Sequence, residues 1–398
     1  MKITDVRLER LVGYTDAPPG FQAERLSRPI DVYPEHNAEA GLGWAARTDA
    51  GQLKIDHSYL TIETDEGVSG VAGPLERYEF AAVIGRQLAP LLIGEDPLAH
   101  ERLWDKMYRL LVHGRKGLEM QAISAVDVAL WDIKGRWAGT AVHRLLGGPT
   151  RTSLPVYASN LGYSFEPEQA AAVARAQRGD GFRAQKWFLR HGPARGEDGM
   201  RRNLETAQAV RAGLGDDSEL MLDAWMSWTL PYARAMAERL EAVRPRWIEE
   251  PLLPDLLHST AELRRMIRIP LATGEHEYTR WGIFELLKAG AADVIQADTY
   301  WAGGITEMLK IGTLCSLYDV PLIPHGLSVP ANVQLIASQP AGLFPLVEFL
   351  VQWNVVSQFF WKQPVLPVQG AVAVPDRPGI GVDFDDSKIA ERHRLTWT

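Results

Sequence analysis

From Pro155 onward, short apolar runs alternate with helix-patterned stretches: LPVYAS, FRAQKWF, ELMLDAW, PRWIEEP, IPLATGEH, ADVIQAD, VPLIPHG and PLVEFL are separated by segments such as PEQAAAVARAQRG and NLETAQAVRAGLG. An uninterrupted apolar run reads as a strand buried on both faces, and strands joined by helices are parallel because each helix carries the chain back to the starting edge. Eight such segments predict an α/β barrel of the (β/α)₈ type across residues 150–365. A doubly wound sheet is the competing arrangement. No G-x-G-x-x-G opens a helix after a strand and no G-x-x-x-x-G-K is present, so nucleotide binding loses its main support.

The chain before the barrel, residues 1–145, reads as a small α+β domain with strands first and helices after. An opening strand (ITDVRLERLVGY) leads into an insert over about residues 15–57 that holds Pro18, Pro19, Pro29 and Pro34 and no sustained period; a long insert of this kind is expected to be a functional lid or disordered. HSYLTIETDEGVSGVAG then reads as a hairpin turning at Asp65, Glu66 and Gly67, followed by the helical patterns FAAVIGRQLAPLLIG, PLAHERLWDKMYRLL and GLEMQAISAVDVALWDIKGRWAG. Residues 366–398 return to strand-and-turn composition and are expected to pack back on the N-terminal domain.

A length of 398 residues suits one large barrel with an accessory domain, and 46% hydrophobic with 23% charged residues is ordinary globular composition. The net charge of −8 argues against a nucleic-acid partner, although local cations and a metal leave room for a small anionic substrate. No run approaches the ~18 apolar residues of a membrane span, and the charges of MKITDVRLERL stand where a signal peptide needs apolar residues. A single cysteine, Cys315, cannot form an internal disulfide. A cytoplasmic protein without a membrane partner is expected, and Cys315, in an apolar stretch, is not expected to be a nucleophile.

In an α/β barrel the loops that follow the strands converge on one face, so the residues ending each apolar run deserve notice. They are Lys186, Asp223, Glu249, Glu275, Asp298, His325 and Glu348, spaced after the first by about one βα unit each, which predicts one ring at one height. Three consecutive strands supply the carboxylates Asp223, Glu249 and Glu275. Left unneutralised they would repel and raise one another's pKa, so they imply a cation, and an all-oxygen set suits Mg²⁺. Only one of Glu249 and Glu250 faces inward by strand alternation, and the sequence alone leaves open which.

Asp298 and His325 end neighbouring strands, close enough for the carboxylate to orient the imidazole as a general base. Lys186 is a candidate to neutralise a substrate carboxylate or assist proton transfer, and Glu348 to give a proton or bind a substrate hydroxyl. His276 is either substrate-facing or behind the site. Trp225 and Trp301 are candidate pocket walls, with packing an equal alternative, and His36 in the insert is a candidate substrate contact. Gly303-Gly304 permits a tight turn.

Together these motifs resemble the mandelate racemase subgroup of the enolase superfamily over nearly the whole chain, from TIETDEGVSG through SAVDVALWDIKGRWAG to the strand-end acids. The resemblance implies a capping domain over a modified (β/α)₇β barrel, Mg²⁺ held by Asp223, Glu249 and Glu275 with Glu249 as the inward member of its pair, and a substrate carboxylate on that metal. Such barrels commonly associate, so a homo-oligomer is expected. KWFLRHGP, LMLDAWMSW, RWIEEPLLP, TGEHEYTRWG and IPHG are similar to acid-sugar dehydratases of the L-rhamnonate dehydratase kind, whereas the Pro-rich insert matches them poorly.

Racemases of the subgroup carry Lys-x-Lys at the end of the second strand, where this chain reads Lys186-Trp187-Phe188. Phe188 takes no proton, so one-base elimination is favoured over two-base racemisation. The expected reaction is removal of the C2 proton of a sugar acid by His325, stabilisation of the enediolate, and loss of the C3 hydroxyl to give a 2-keto-3-deoxy acid. A racemase, epimerase or cycloisomerase on the same scaffold, or a catalytically silent binding protein, are the alternatives.

Overall fold

The computed structural model describes residues 1–18, 20–36, 46–75 and 78–396. The proline-rich insert is therefore described only in part, and Pro19 and residues 37–45 lie outside the described residues.

Strands β1 (Ile3–Thr15), β2 (Ala46–Arg47), β3 (Leu53–Thr64) and β4 (Ser69–Leu75) form an antiparallel sheet in which β1 and β4 flank β3. The turn between β3 and β4 falls at Asp65–Gly67, and Gly67 takes a left-handed φ of 74° there. Alternation sends Leu8, Leu60 and Ile62 into one core beneath helices Tyr78–Val83, His100–Leu110 and Leu118–Trp137.

The helix Leu118–Trp137 is apolar nearly all round because it is covered on both sides, by the sheet and by the barrel helix Gly304–Leu317. Gly70 of β4 makes the first contact possible: a Cβ there would lie 2.1 Å from the Ala129 carbonyl oxygen.

The second domain is a modified (β/α)₇β barrel. Parallel strands β5 (Ser153–Ser159), β6 (Ala184–Phe188), β7 (Glu219–Asp223), β8 (Trp247–Glu249), β9 (Leu271–Thr273), β10 (Val294–Ile295) and β11 (Val347–Leu350) run in the order β10-β9-β8-β7-β6-β5-β11. The segment VPLIPHG contributes only a parallel bridge, Ile295 to Leu322, between β10 and β11 in sequence. Seven helices connect these eight strand positions among the described residues.

One residue from each position, namely Tyr157, Ala184, Met221, Trp247, Ala272, Val294, Ile323 and Leu346, packs into a single buried cluster that floors the barrel. After β11 the chain adds β12 (Ala371–Ala373) antiparallel to β5, then β13 (Glu391–Leu395) antiparallel to β1, so the C-terminal residues touch both domains.

Candidate active site

The side-chain period of two converts that floor into a polar layer above it. Two residues beyond Ala184, Met221, Trp247, Val294, Ile323 and Leu346 stand Lys186, Asp223, Glu249, Gln296, His325 and Glu348. On β9 the same step reaches Gly274, and Glu275 follows it. Lys186, Asp223, Glu275 and His325 line one cavity of about 400 Å³, closed over by Leu26, Arg28, Leu161, Phe188, Trp225, Trp301, Leu327, Leu350 and Trp353.

The ring is staggered rather than level. Asp223 pairs with Glu249 across β7 and β8, but Lys186 pairs with Met221, two residues deeper than Asp223. Glu249 pairs with Ala272, which leaves Glu275 three residues further along, past the end of β9. Sequence spacing tracks the length of each βα unit, whereas ladder register is set by how the strands shear as the sheet curls.

Lys186 is buried, with Nζ 2.6 Å from Glu249 Oε1, 2.7 Å from Glu348 Oε1 and 3.1 Å from Asp223 Oδ2. Burial alone would lower its pKa, but Glu249, Glu348 and Asp223 outweigh that and raise it well above the ordinary lysine value. It is a fixed cation within the acid layer.

Glu249 is held on its other oxygen by Trp247 Nε1 at 3.1 Å and Gln296 Nε2 at 2.8 Å. Its neighbour Glu250 is also buried but serves His276: Oε2 lies 2.6 Å from His276 Nδ1, and Oε1 accepts from the backbone N–H of Gly274 and of His276.

His325 Nδ1 lies 2.8 Å from Asp298 Oδ2, while Asp298 Oδ1 accepts from the backbone N–H of Tyr300 at 2.6 Å and of Trp301 at 3.1 Å. The carboxylate is thus fixed from behind and fixes the ring in turn. The other imidazole nitrogen, Nε2, lies 3.4 Å from Glu275 Oε1. Burial would lower the pKa of His325, but Glu275, the Asp298 hydrogen bond and Glu348 together push it up to about 10.

The acids respond in the opposite sense. Burial first, then Glu275, raises Asp223 to about 6; burial, then Asp223, raises Glu249 to about 8; burial raises Glu275 to about 7 despite the two histidines. Glu348 is lowered, because Lys186 and His325 overcome its burial.

Among the described residues one group, Glu250, Glu275 and His276, brings its ligand atoms within 4.8 Å of one another, while Asp223, Glu249 and Glu275 stand at the ends of neighbouring strands. Asp223, Glu249 and Glu275 present oxygens only, a donor set that fits Mg²⁺; their carboxyl pKa values are raised first by burial, against which Lys186 acts at all three. In the group with Glu250 and His276 a nitrogen donor enters the set.

Of the other expected contacts, Trp225 and Trp301 do wall the cavity. His276 lines an adjoining one, where its ring lies 5.6 Å from that of Trp225 and 5.4 Å from that of Trp301. His36 is a correction: it is exposed in the short turn Pro34–His36 and lines neither cavity, because the buried Arg25–Asp31 ion pair folds this stretch back and Arg25 Nη2 holds the His36 carbonyl at 2.6 Å. Cys315 is buried and its thiol is pushed up to about 12, as expected of a packing residue.

Sequence reasoning missed Arg28 and Trp353. Arg28 borders both cavities from the insert, where no periodicity marks it; Trp353 follows the last barrel strand, the position that had drawn notice to Trp225 and Trp301.

Residues 168–388 match the enolase C-terminal domain-like family, and residues 52–147 match the mandelate racemase / muconate lactonizing enzyme N-terminal domain. The chain belongs to the enolase superfamily. Within the superfamily it is 34% identical to L-rhamnonate dehydratase of Saccharopolyspora erythraea, with 96% of each chain covered. Among solved structures it is similar to rhamnonate dehydratase from Gibberella zeae complexed with Mg, at 28% identity and a TM-score of 0.82 over 97% of this chain and 95% of that one. It is also similar to the 3,6-anhydro-D-galactonate cycloisomerase from Zobellia galactanivorans, at 27% identity and a TM-score of 0.79 over 98% and 100%. Among the described residues no helix is long and apolar enough to cross a membrane.

Proposed function

We propose that this hydro-lyase of the enolase superfamily is a Mg²⁺-dependent dehydratase of a sugar acid of the L-rhamnonate kind, which removes the C2 proton and expels the C3 hydroxyl to give a 2-keto-3-deoxy acid. The observation that carries the reading is a single oriented imidazole, His325 on Asp298, opening on the same cavity as Lys186, Asp223 and Glu275. The relative from S. erythraea, similar over nearly its whole length, supports the substrate class.

Asp223, Glu249 and Glu275 would hold the Mg²⁺, which when bound supplies a Lewis acid for the negative charge that develops on the substrate carboxylate. Neutralising Glu275 also removes the largest influence raising the pKa of His325, which brings the imidazole toward the range of a working base. Asp298 accepts a hydrogen bond from Nδ1–H and leaves Nε2 free to take the C2 proton; a base so placed contributes about 10²–10⁴-fold. The imidazolium then gives that proton to the departing C3 hydroxyl, so one residue serves both steps. Lys186 holds positive charge beneath the carboxylate end. Glu348, hydrogen-bonded to the Gly326 N–H at 2.9 Å, keeps Lys186 in place.

Phe188 lines the wall from which a second base would act, which disfavours racemisation. The likeness to a cycloisomerase keeps ring-opening isomerisation as the second reading. Incubating the protein with Mg²⁺ and a library of mono- and diacid sugars, scored for α-keto acid and for deuterium at C2 of recovered substrate, tests the proposal. A keto acid is expected from a monoacid of the rhamnonate type. Deuterium exchange without keto acid, or isomerised product alone, would refute dehydration.

A further inference from the structure

The stretch from Asp298 to Thr306 carries the residue that orients His325 and the tryptophan that walls the cavity; it is tied to the barrel through His325 and through Thr299 Oγ1 donating to Asn332 Oδ1 at 2.6 Å, yet most of the hydrogen bonds that leave it reach the other domain. Tyr300 Oη accepts from the Gly73 N–H at 3.0 Å. The Gly303 N–H donates to Ser124 Oγ at 2.9 Å, and the Gly303 carbonyl accepts from Trp104 Nε1 at 2.8 Å. Thr306 donates twice to Asp127, from N–H to Oδ2 at 2.9 Å and from Oγ1 to Oδ1 at 2.5 Å, and its Oγ1 accepts from Trp131 Nε1 at 2.9 Å.

Both oxygens of Asp127, which is 1% exposed, are spent on the first turn of the helix Gly304–Leu317, where a carboxylate also answers the unpaired N–H groups and the positive end of the helix dipole. The Gly303-Gly304 pair encodes the approach. Gly304 has φ +80°, and a Cβ on it would lie 2.3 Å from Asp127 Oδ2. The missing Cβ at Gly304 leaves the room that Asp127 occupies against the turn.

We propose that Asp127 is a positioning residue for the His325–Asp298 pair: the capping helix Leu118–Trp137 fixes the loop that presents Asp298, so docking of the capping domain sets the aim of the imidazole. Asp127 reaches no substrate and acts through Thr306 and the turn. The inference rests on the assignment of His325 as the base, but its test separates the two.

Asp127→Ala, Gly304→Ala and Ser124→Ala approach the contact from both sides, the last removing one hydrogen bond to the turn, from the Gly303 N–H, and one within its own helix, to the Met120 carbonyl. For Asp127→Ala, kcat is expected to fall on the order of 10²-fold with KM changed by less than about threefold, because misplacing a reacting group costs rate rather than uniform binding. In the NMR spectrum the low-field proton on His325 Nδ1 is expected to shift or broaden without substrate present. Unchanged kcat and an unmoved resonance in a folded Asp127→Ala protein overturn the proposal, as does a rise in KM alone. Should Asp127→Ala or Gly304→Ala not fold, Ser124→Ala decides: a shifted resonance supports the proposal and an unmoved one overturns it. If the wild type turns over no acid, the functional assignment fails while the resonance still tests Asp127.

Discussion

Replacing Asp298 by Asn changes no volume and almost no shape, but it inverts the proton logic of His325. Asp298 Oδ1 is held by two backbone N–H groups, from Tyr300 and Trp301, which demand an acceptor. In the variant the amide oxygen takes that place and the amide NH₂ faces His325 Nδ1, 2.8 Å away in the parent. An NH₂ group donates and does not accept. His325 is then driven to the tautomer protonated on Nε2, the nitrogen that should receive the substrate proton. The loss expected is about 10²–10⁴-fold in kcat, or roughly 2.7–5.4 kcal/mol of transition-state stabilisation, with little change in KM. The assay is the initial rate of keto-acid formation and of C2 exchange in D₂O, with circular dichroism to show that the fold is kept. Asp298→Asn working within about threefold of the parent would refute the role given to the pair, since even one modest general-base contribution exceeds that.

Lys186→Met removes the only cation held among Asp223, Glu249 and Glu348 in the described residues. Breaking a buried pair costs about 3–5 kcal/mol, so in EDTA the urea midpoint should fall sharply, and saturating Mg²⁺ should restore more of it than in the parent; an unchanged midpoint in EDTA would count against the ionic layer. His325 has its pKa raised from 6.5 to about 10 in the metal-free protein, so its stabilising contribution is whole below pH 6.5 and is lost as pH rises through about 10. Imidazole NMR should find it still protonated at neutral pH and should find the midpoint lower once Mg²⁺ is added; a metal-free midpoint at or below 6.5 would contradict the geometry. Arg28 borders both cavities and its Nε has no hydrogen-bond partner among the described residues, so Arg28→Ala should raise KM and leave kcat nearly intact; a fall in kcat alone would assign it a different role.

The barrel and its polar layer were legible because parallel strands are apolar on both faces, so a charged residue at the end of such a run has no bland place to go. Period-two alternation then carries the apolar floor at Met221 and Trp247 directly to Asp223 and Glu249. Shear was not legible, and neither was the burial of Lys186 among acids from three strands, since both depend on how the sheet curls rather than on local pattern. His276 shows the same limit: nothing in TGEHE tells that Glu250, one strand away, takes the ring and turns it from the main cavity. The insert gave false guidance at His36, whose carbonyl is held by Arg25, a residue of the buried ion pair with Asp31 that no periodicity announces. Gly303-Gly304 was read as a tight turn, and its left-handed angles agree, but the partner that makes glycine necessary, Asp127, lies in another domain.

The account stands on where a divalent ion sits. Glu275 is shared between the proposed ligand set with Asp223 and Glu249 and the observed group with Glu250 and His276. Crystals soaked in Mn²⁺ as an anomalous stand-in for Mg²⁺ distinguish them. An anomalous peak within bonding distance of Asp223, Glu249 and Glu275 is expected. A peak bound instead by Glu250, Glu275 and His276, or none near either set, would contradict it.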